Sequence, residues 1–247
     1  MAIIIPYSLS GKGKKEQVAE MFDNIALNYD FLNHFLSFGI DKAWRRRAIR
    51  IIMKYSPSRI LDVATGTGDL AIESLKTGAH EVVGVDISEE MLAVGRAKVE
   101  LLGAGHRIIL QPGDSEDLCF SDNSFDAVTV AFGVRNFENL SKGLGEILRV
   151  LKPGGVLCIL EFSKPRCFPV KQFYSFYFFY IIPLLGRLFS KERSAYRYLP
   201  ESVEHFPDGE EFLAILRKGG FQQSKQFRQT FGIATIYTAF KRVNFEL

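Results

Sequence analysis

A short apolar run, RILDVA (59–64), ends on TGTGD, and a helix pattern follows to about Lys76. Strand, glycine turn and helix then recur. EVVGVD (81–86), RIILQPGD (107–114), FDAVTVAF (125–132) and GVLCILEF (155–162) read as further strands. SEEMLAVGRAKVELLG (88–103) opens with a Ser cap and two Glu residues on the positive end of the helix dipole. NLSKGLGEILRVLKPGG (139–155) reads as a helix closed by Pro-Gly-Gly, and GFQQSKQFRQTFGIATIYTAFK (220–241) as an antiparallel hairpin around Gly232. Strands alternating with helices predict an α/β fold, a parallel sheet covered on both faces. The 247 residues suffice for one such domain with a substantial core.

Ahead of this pattern, helical spacing covers 14–29 (Met21, Phe22, Ile25, Ala26 and Tyr29 on one face) and 41–54, with apolar FLNHFLSFG between them. Residues 1–54 are read as a helical cover and 55–247 as the ligand-binding domain. The cover holds nine Lys or Arg against five Asp or Glu, while the rest of the chain is nearly balanced. That suits an anionic surface or a solvated helix face, and it speaks against a nucleic-acid enzyme, whose basic surface should be extensive. The target-base motifs Asn-Pro-Pro-Tyr and Asp-Pro-Pro-Tyr are also missing. Cys119, Cys158 and Cys167 form no CxxC pair and no Cys/His cluster. Neither a metal site nor a disulfide framework is expected, and a reducing cytoplasm fits. MAIIIPYS is too short in its apolar run to be a signal peptide.

The glycine turn is ambiguous alone. Gly66-x-Gly68-x-x-Ala71 matches a dinucleotide fingerprint as well as a methyltransferase loop, since in both the glycines let a cofactor approach the backbone. Asp62, four residues before Gly66, separates the two. A carboxylate there would repel a pyrophosphate and attract the amino group of S-adenosylmethionine. Asp86 ends the second strand, where it can accept both ribose hydroxyls. Asp114 ends the third, where it can accept the adenine amino group while the Ser115 N–H serves a ring nitrogen. Three acids ending three successive strands line one crevice at the carboxyl edge of the sheet.

LDVATGTGD, VVGVDISEEML, PGDSEDLCFSDNSFDAV and EILRVLKPGGVLCILEFSKP together resemble the class I S-adenosylmethionine-dependent methyltransferases. FDNIALNYDFLNHFLSFGIDKAWRR, AFGVRNF and SAYRYLPESV resemble, more narrowly, the menaquinone/ubiquinone biosynthesis C-methyltransferases, from about Lys15 to Lys241. The resemblance implies a Rossmann-like, seven-stranded, mostly parallel sheet. It implies cofactor contacts at Thr67, Asp86, Asp114 and Ser115, with Asp62, Gly66 and Gly68 shaping the site. Ala131 stands where the family often has Ser. The acceptor implied is demethylmenaquinol, with a demethylated ubiquinol precursor as the alternative; a nicotinamide dehydrogenase or a non-catalytic binding module fits less of the chain. The expected partners are a polyprenylated quinol and the inner face of the membrane, with a homodimer left open and no nucleic acid.

Carbon methylation needs an electron-rich ring carbon, such as one beside an ionised hydroquinone oxygen. Arg135 and Asn136, in FGVRNF, are the candidates to favour that phenolate and to position a water. Tyr29 would hydrogen-bond the quinol from the cover, and His34 is a further candidate base. Arg135 could instead pair with Glu138, and Asn136 could cap the next helix.

FYSFYFFYIIPLLGRLF (173–189) has eight aromatics among seventeen residues. It is too short to span a bilayer and is interrupted by Pro183 and Gly186. Residues 168–199 are read as a helical lid with one face over the quinol ring and another toward its tail and lipid. Arg187, Lys191, Arg193 and Arg197 would meet headgroups. The alternative is a helix buried in the core.

Overall fold

The computed structural model describes residues 4–7, 10–182, 184 and 193–243. Seven strands form one sheet: β1 (Arg59–Val63), β2 (Glu81–Asp86), β3 (Ile108–Pro112), β4 (Phe125–Ala131), β5 (Leu151–Phe162), β6 (Gln222–Gln229) and β7 (Ala234–Phe240). Their spatial order is β3-β2-β1-β4-β5-β7-β6. The first five are parallel, and β7 runs antiparallel between β5 and β6. The order reverses between β1 and β4, so the loops leaving those strands diverge and open a crevice at the carboxyl edge.

Alternate strand residues face opposite sides, and both sides are buried. Leu61, Val83, Val128, Leu157 and Tyr237 join one core with Leu144 and Ile147 of α5 (Leu140–Val150) and Phe212 of α8 (Glu210–Lys218). Their neighbours Ile60, Val82, Ala127, Val156 and Ile236 join the other, with residues of α2 (Ile40–Ile52), α3 (Asp69–Ser74) and α4 (Glu89–Leu101). Burial on both faces explains why these strands read as unbroken apolar runs.

Three elements depart from the sequence reading. α1 (Lys14–Leu36) continues through FLNHFL, so the first two helices are separated only by the turn at Gly39, φ +71°. α2 is no cover: Trp44, Ala48, Ile49 and Ile52 pack on the sheet beside α3. α5 stops at Val150 because Leu151, fully buried, is already extended and pairs with Phe125. Lys-Pro-Gly-Gly therefore leads into β5 through a register shift.

A third core lies above the crevice. Val18, Met21, Ile25 and Leu32 of α1 pack against Phe178 and Ile182, and against Tyr196 and Tyr198 of α7 (Arg193–His205). Phe178 belongs to a π-turn (Tyr177–Ile181) that extends α6 (Val170–Phe176). The remainder of the expected lid, including Arg187 and Lys191, lies outside the described residues. Among the described residues no helix is long and apolar enough to cross a membrane.

Candidate active site

Two buried carboxylates hold the glycine turn. Asp62, 1% exposed, accepts Thr65 Oγ1 and Thr129 Oγ1, each at 2.6 Å, and so ties the end of β1 to the turn and to β4. Asp86 accepts the Gly66 N–H at 2.8 Å on one oxygen and the Ser88 N–H at 2.9 Å on the other. Gly66 (φ +56°) and Gly68 (φ +77°) take the left-handed conformation that glycine permits without strain. Burial raises both carboxyls above the usual range, and Asp62 reaches about 6 despite its two hydroxyl donors.

That value sets a pH dependence. An unfolded aspartate titrates near pH 3.9. Between about pH 4 and 6 the native chain keeps this proton while the unfolded chain has released it. Stability is therefore lost as pH rises through that window, by about 2–3 kcal/mol from this group. Asp62→Asn should remove that slope in urea unfolding series run from pH 4.5 to 7.5. A variant that kept the wild-type slope would show that Asp62 stays ionised.

Two adjoining cavities lie beneath α1. The first is walled by Gly66, Asp86, Ile87, Asp114 and Ser115 from the sheet edge and by Lys15, Val18, Phe22 and Tyr29 from α1. Lys15 Nζ sits 2.6 Å from Asp114 Oδ2. The donor set fits S-adenosylmethionine. Each Asp86 oxygen has accepted one backbone N–H and keeps a lone pair for a ribose hydroxyl. Ile87 and Phe137 offer apolar faces for a base, next to Asp114 and Ser115.

The second cavity lies between α1, α7 and the ends of β4 and β5. Met21, Leu32, Tyr198 and Leu199 make it largely apolar, and Phe22, Tyr29 and Phe132 belong to both cavities. Phe132 (φ +56°) and Ala64 (φ +54°) are non-glycine residues in the left-handed region, at the ends of β4 and β1. Such strain persists only where surrounding contacts enforce it, commonly at a site.

Residues 11–241 match the profile of the ubiE/COQ5 methyltransferase family. The chain belongs to that family. The demethylmenaquinone methyltransferase of Bacteroides fragilis is 52% identical over 239 residues, covering 96% of this chain and 97% of the relative. The ubiquinone/menaquinone biosynthesis C-methyltransferase of Geobacter sulfurreducens is 50% identical over 240 residues, covering 96% and 93%. In fold, a SAM-dependent methyltransferase from Thermotoga maritima superposes with a TM-score of 0.64 at 16% identity, covering 91% of this chain and 99% of that one.

As a ubiE/COQ5 family methyltransferase, the chain places its expected site residues unevenly. Gly66, Asp86, Asp114, Ser115, Asn136 and Tyr29 all line the first cavity. Asp62 does not: it is 1% exposed, and its two oxygens accept the threonine hydroxyls, so it shapes the turn. Gly68 caps α3. Thr67, 2% exposed, donates to Asp30 Oδ1 at 2.5 Å and accepts from Lys98 Nζ at 3.1 Å, tying α1 and α4 to the turn instead of facing the cleft. Arg135 lines the second cavity, but its partner is Glu161, not Glu138. The helix cap is Asn139, whereas Asn136 accepts the Tyr198 hydroxyl at 3.2 Å. His34 is held by Asp41 at 2.9 Å and lines neither cavity.

The sequence reading missed Glu161, Arg45 and Asp41. Glu161, fully buried on β5, accepts Arg135 Nη1 at 2.8 Å. Burial raises its pKa, against the pull of Arg135. Arg45 and Asp41, one helical turn apart on α2, pair with each other and line the second cavity. Burial opposes the Asp41 carboxylate, yet Ser37, Arg45 and His34 hold its pKa below the usual value. A charged residue inside an apolar strand, Glu161 in CILEF, was the available signal.

Proposed function

We propose that the chain transfers a methyl group from S-adenosylmethionine to a ring carbon of demethylmenaquinol, giving menaquinol. The observation that carries this reading is the apolar second cavity with Arg135 in its wall, sharing Phe22, Tyr29 and Phe132 with the cofactor cleft. The names of the Bacteroides and Geobacter relatives support the same acceptor class. Bound S-adenosylmethionine would supply an activated methyl to the ring carbon, leaving S-adenosylhomocysteine, and the ring proton would pass to a water positioned by Asn136. Asp86 would hold the ribose, Asp114 and Ser115 the adenine, and Gly66 and the turn the methionyl end.

The chain's own contribution is alignment. α1 lines both cavities through Phe22 and Tyr29, and fixed alignment is worth about 7–11 kcal/mol in favourable systems. Arg135 is fixed by Glu161 and by the Phe132 carbonyl, with its guanidinium carbon 5.6 Å from the centre of the Phe162 ring. Since Glu161 offsets its charge, Arg135 favours the phenolate by a directed hydrogen bond more than by net field. Burial raises the pKa of Tyr29 and pushes that of Tyr198 up to about 12, so both stay protonated and donate. Tyr198 in turn orients Asn136.

An exposed aromatic face, next in the chain to Leu32, Leu36 and Ser37 of the second cavity, suits a lipid surface. Phe31, Phe35 and Phe38 of α1 and its following turn are exposed, as are Phe173, Phe176 and Tyr180 of the lid. Phe38 meets Tyr177 at 6.1 Å between ring centres, which joins the two groups into one face. Exposed Lys42, Arg46 and Arg47 of α2 follow closely in the chain. Such a face would admit a long prenyl tail from the bilayer and hold the enzyme at its surface.

The test mixes purified protein, labelled S-adenosylmethionine and chemically reduced demethylmenaquinone in detergent, with the oxidised quinone as control. Label should enter the quinol only. Cofactor binding without transfer would remove this acceptor and turn attention to the demethylated ubiquinol precursor. The membrane face is tested by flotation with anionic vesicles. Phe31→Asp with Phe35→Asp should reduce the bound fraction several-fold, and unaltered flotation would dismiss that face.

A further inference from the structure

The geometry points to Arg45 as a second guanidinium at the acceptor site, one that reads the far oxygen of a para-dioxygenated ring. This rests on the quinol reading above. Arg45 and Arg135 line the same cavity, with side chains 9% and 6% exposed. Phe132 and Phe162 lie 4.5 Å apart between ring centres, and each carries one guanidinium carbon at 5.6 Å, Arg45 on Phe132 and Arg135 on Phe162. Each arginine is also paired with acid through Nη1: Arg45 with Asp41 and, at 3.8 Å, Asp69, and Arg135 with Glu161.

In both arginines the Nε–H is buried and has no hydrogen-bond partner among the described residues. Buried donors are nearly always matched, so both guanidinium groups at this cavity keep hydrogen-bonding capacity that the protein leaves unused, and an acceptor with two oxygens would suit the pair. A hydroquinone has two, on opposite ring carbons. Arg135 takes the oxygen beside the reacting carbon, where charge develops. Arg45 takes the other, beside the carbon that bears the prenyl tail. A structural arginine whose only task was to pair with Asp41 could be replaced by lysine. A guanidinium that donates to a ring oxygen could not, because an ammonium has a different reach and no planar fork.

The experiment compares two acceptors with a short prenyl tail: the reduced 1,4-diol, and the naphthol that lacks the oxygen beside the prenyl-bearing carbon. kcat/KM is measured for the wild type, Arg45→Gln and Arg45→Lys, with S-adenosylmethionine affinity as the check on folding. Losing one charge-assisted hydrogen bond predicts that Arg45→Gln falls roughly 10- to 100-fold on the diol. On the naphthol it should fall at least tenfold less. Arg45→Lys should follow Arg45→Gln, and it carries the comparison if the glutamine variant does not fold. Equal losses on both acceptors, or full activity of Arg45→Lys on the diol, would overturn the assignment while leaving the quinol reading intact. A wild type that binds S-adenosylmethionine but methylates neither acceptor would overturn that reading and this inference with it.

Discussion

Arg135→Gln should lower turnover on the reduced quinol by two to three orders of magnitude while leaving S-adenosylmethionine affinity nearly unchanged. The magnitude is that of removing one preorganised donor from a developing oxyanion, about 3–4 kcal/mol of barrier. Affinity is spared because Arg135 lines the second cavity and not the first. The substitution has a second effect that must be separated from the first. Glu161, fully buried, loses its charged partner. An unpaired buried carboxylate costs about 3–5 kcal/mol, reduced here because burial already favours its protonated form. Thermal melts should therefore fall for Arg135→Gln and recover in the Arg135→Gln/Glu161→Gln pair. Turnover should not recover in the pair, since the donor is still missing. Near-normal turnover of the single variant would remove Arg135 from the chemistry.

The second large effect falls on the cofactor. Asp86→Ala deletes the acceptor of the Gly66 and Ser88 N–H groups together with the proposed ribose contact. Hydrogen bonds to a charged group are worth about 1.5–3 kcal/mol each, and the freed turn also loses its shape. Calorimetric titration should show affinity for S-adenosylmethionine weakened by about 100-fold or more. Asp86→Asn keeps one acceptor oxygen and should fall between. Unchanged affinity in the alanine variant would place the cofactor elsewhere.

What could be read from the sequence was what repeats or abuts in the chain. β2 coincides with EVVGVD, and the strand-end acids Asp86 and Asp114 reach one cleft because a parallel sheet brings equivalent strand ends together. The end of α5 was misjudged because Leu-Lys-Pro-Gly-Gly has no local preference that reveals the pairing of Leu151 with Phe125. Partnerships across long separations were equally hidden. Arg135 and Glu161 lie 26 residues apart and Thr67 and Asp30 lie 37 apart, and nothing in either stretch announces the other. Thr67 was assigned to the cofactor by resemblance, but Asp30 and Lys98 already occupy its hydroxyl. The place of α2 was missed because one apolar stripe serves a sheet and a crevice alike.

α1 is a wall common to two rooms. Phe22 and Tyr29 face both cavities, as does Phe132 from the sheet edge. A substitution at any of the three alters the binding of donor and acceptor together, so these positions have little freedom to drift when a lineage changes its quinone. Leu32 and Leu199 line the acceptor cavity alone. Acceptor preference can be retuned there, by evolution or by an engineer, without disturbing the grip on the methyl donor.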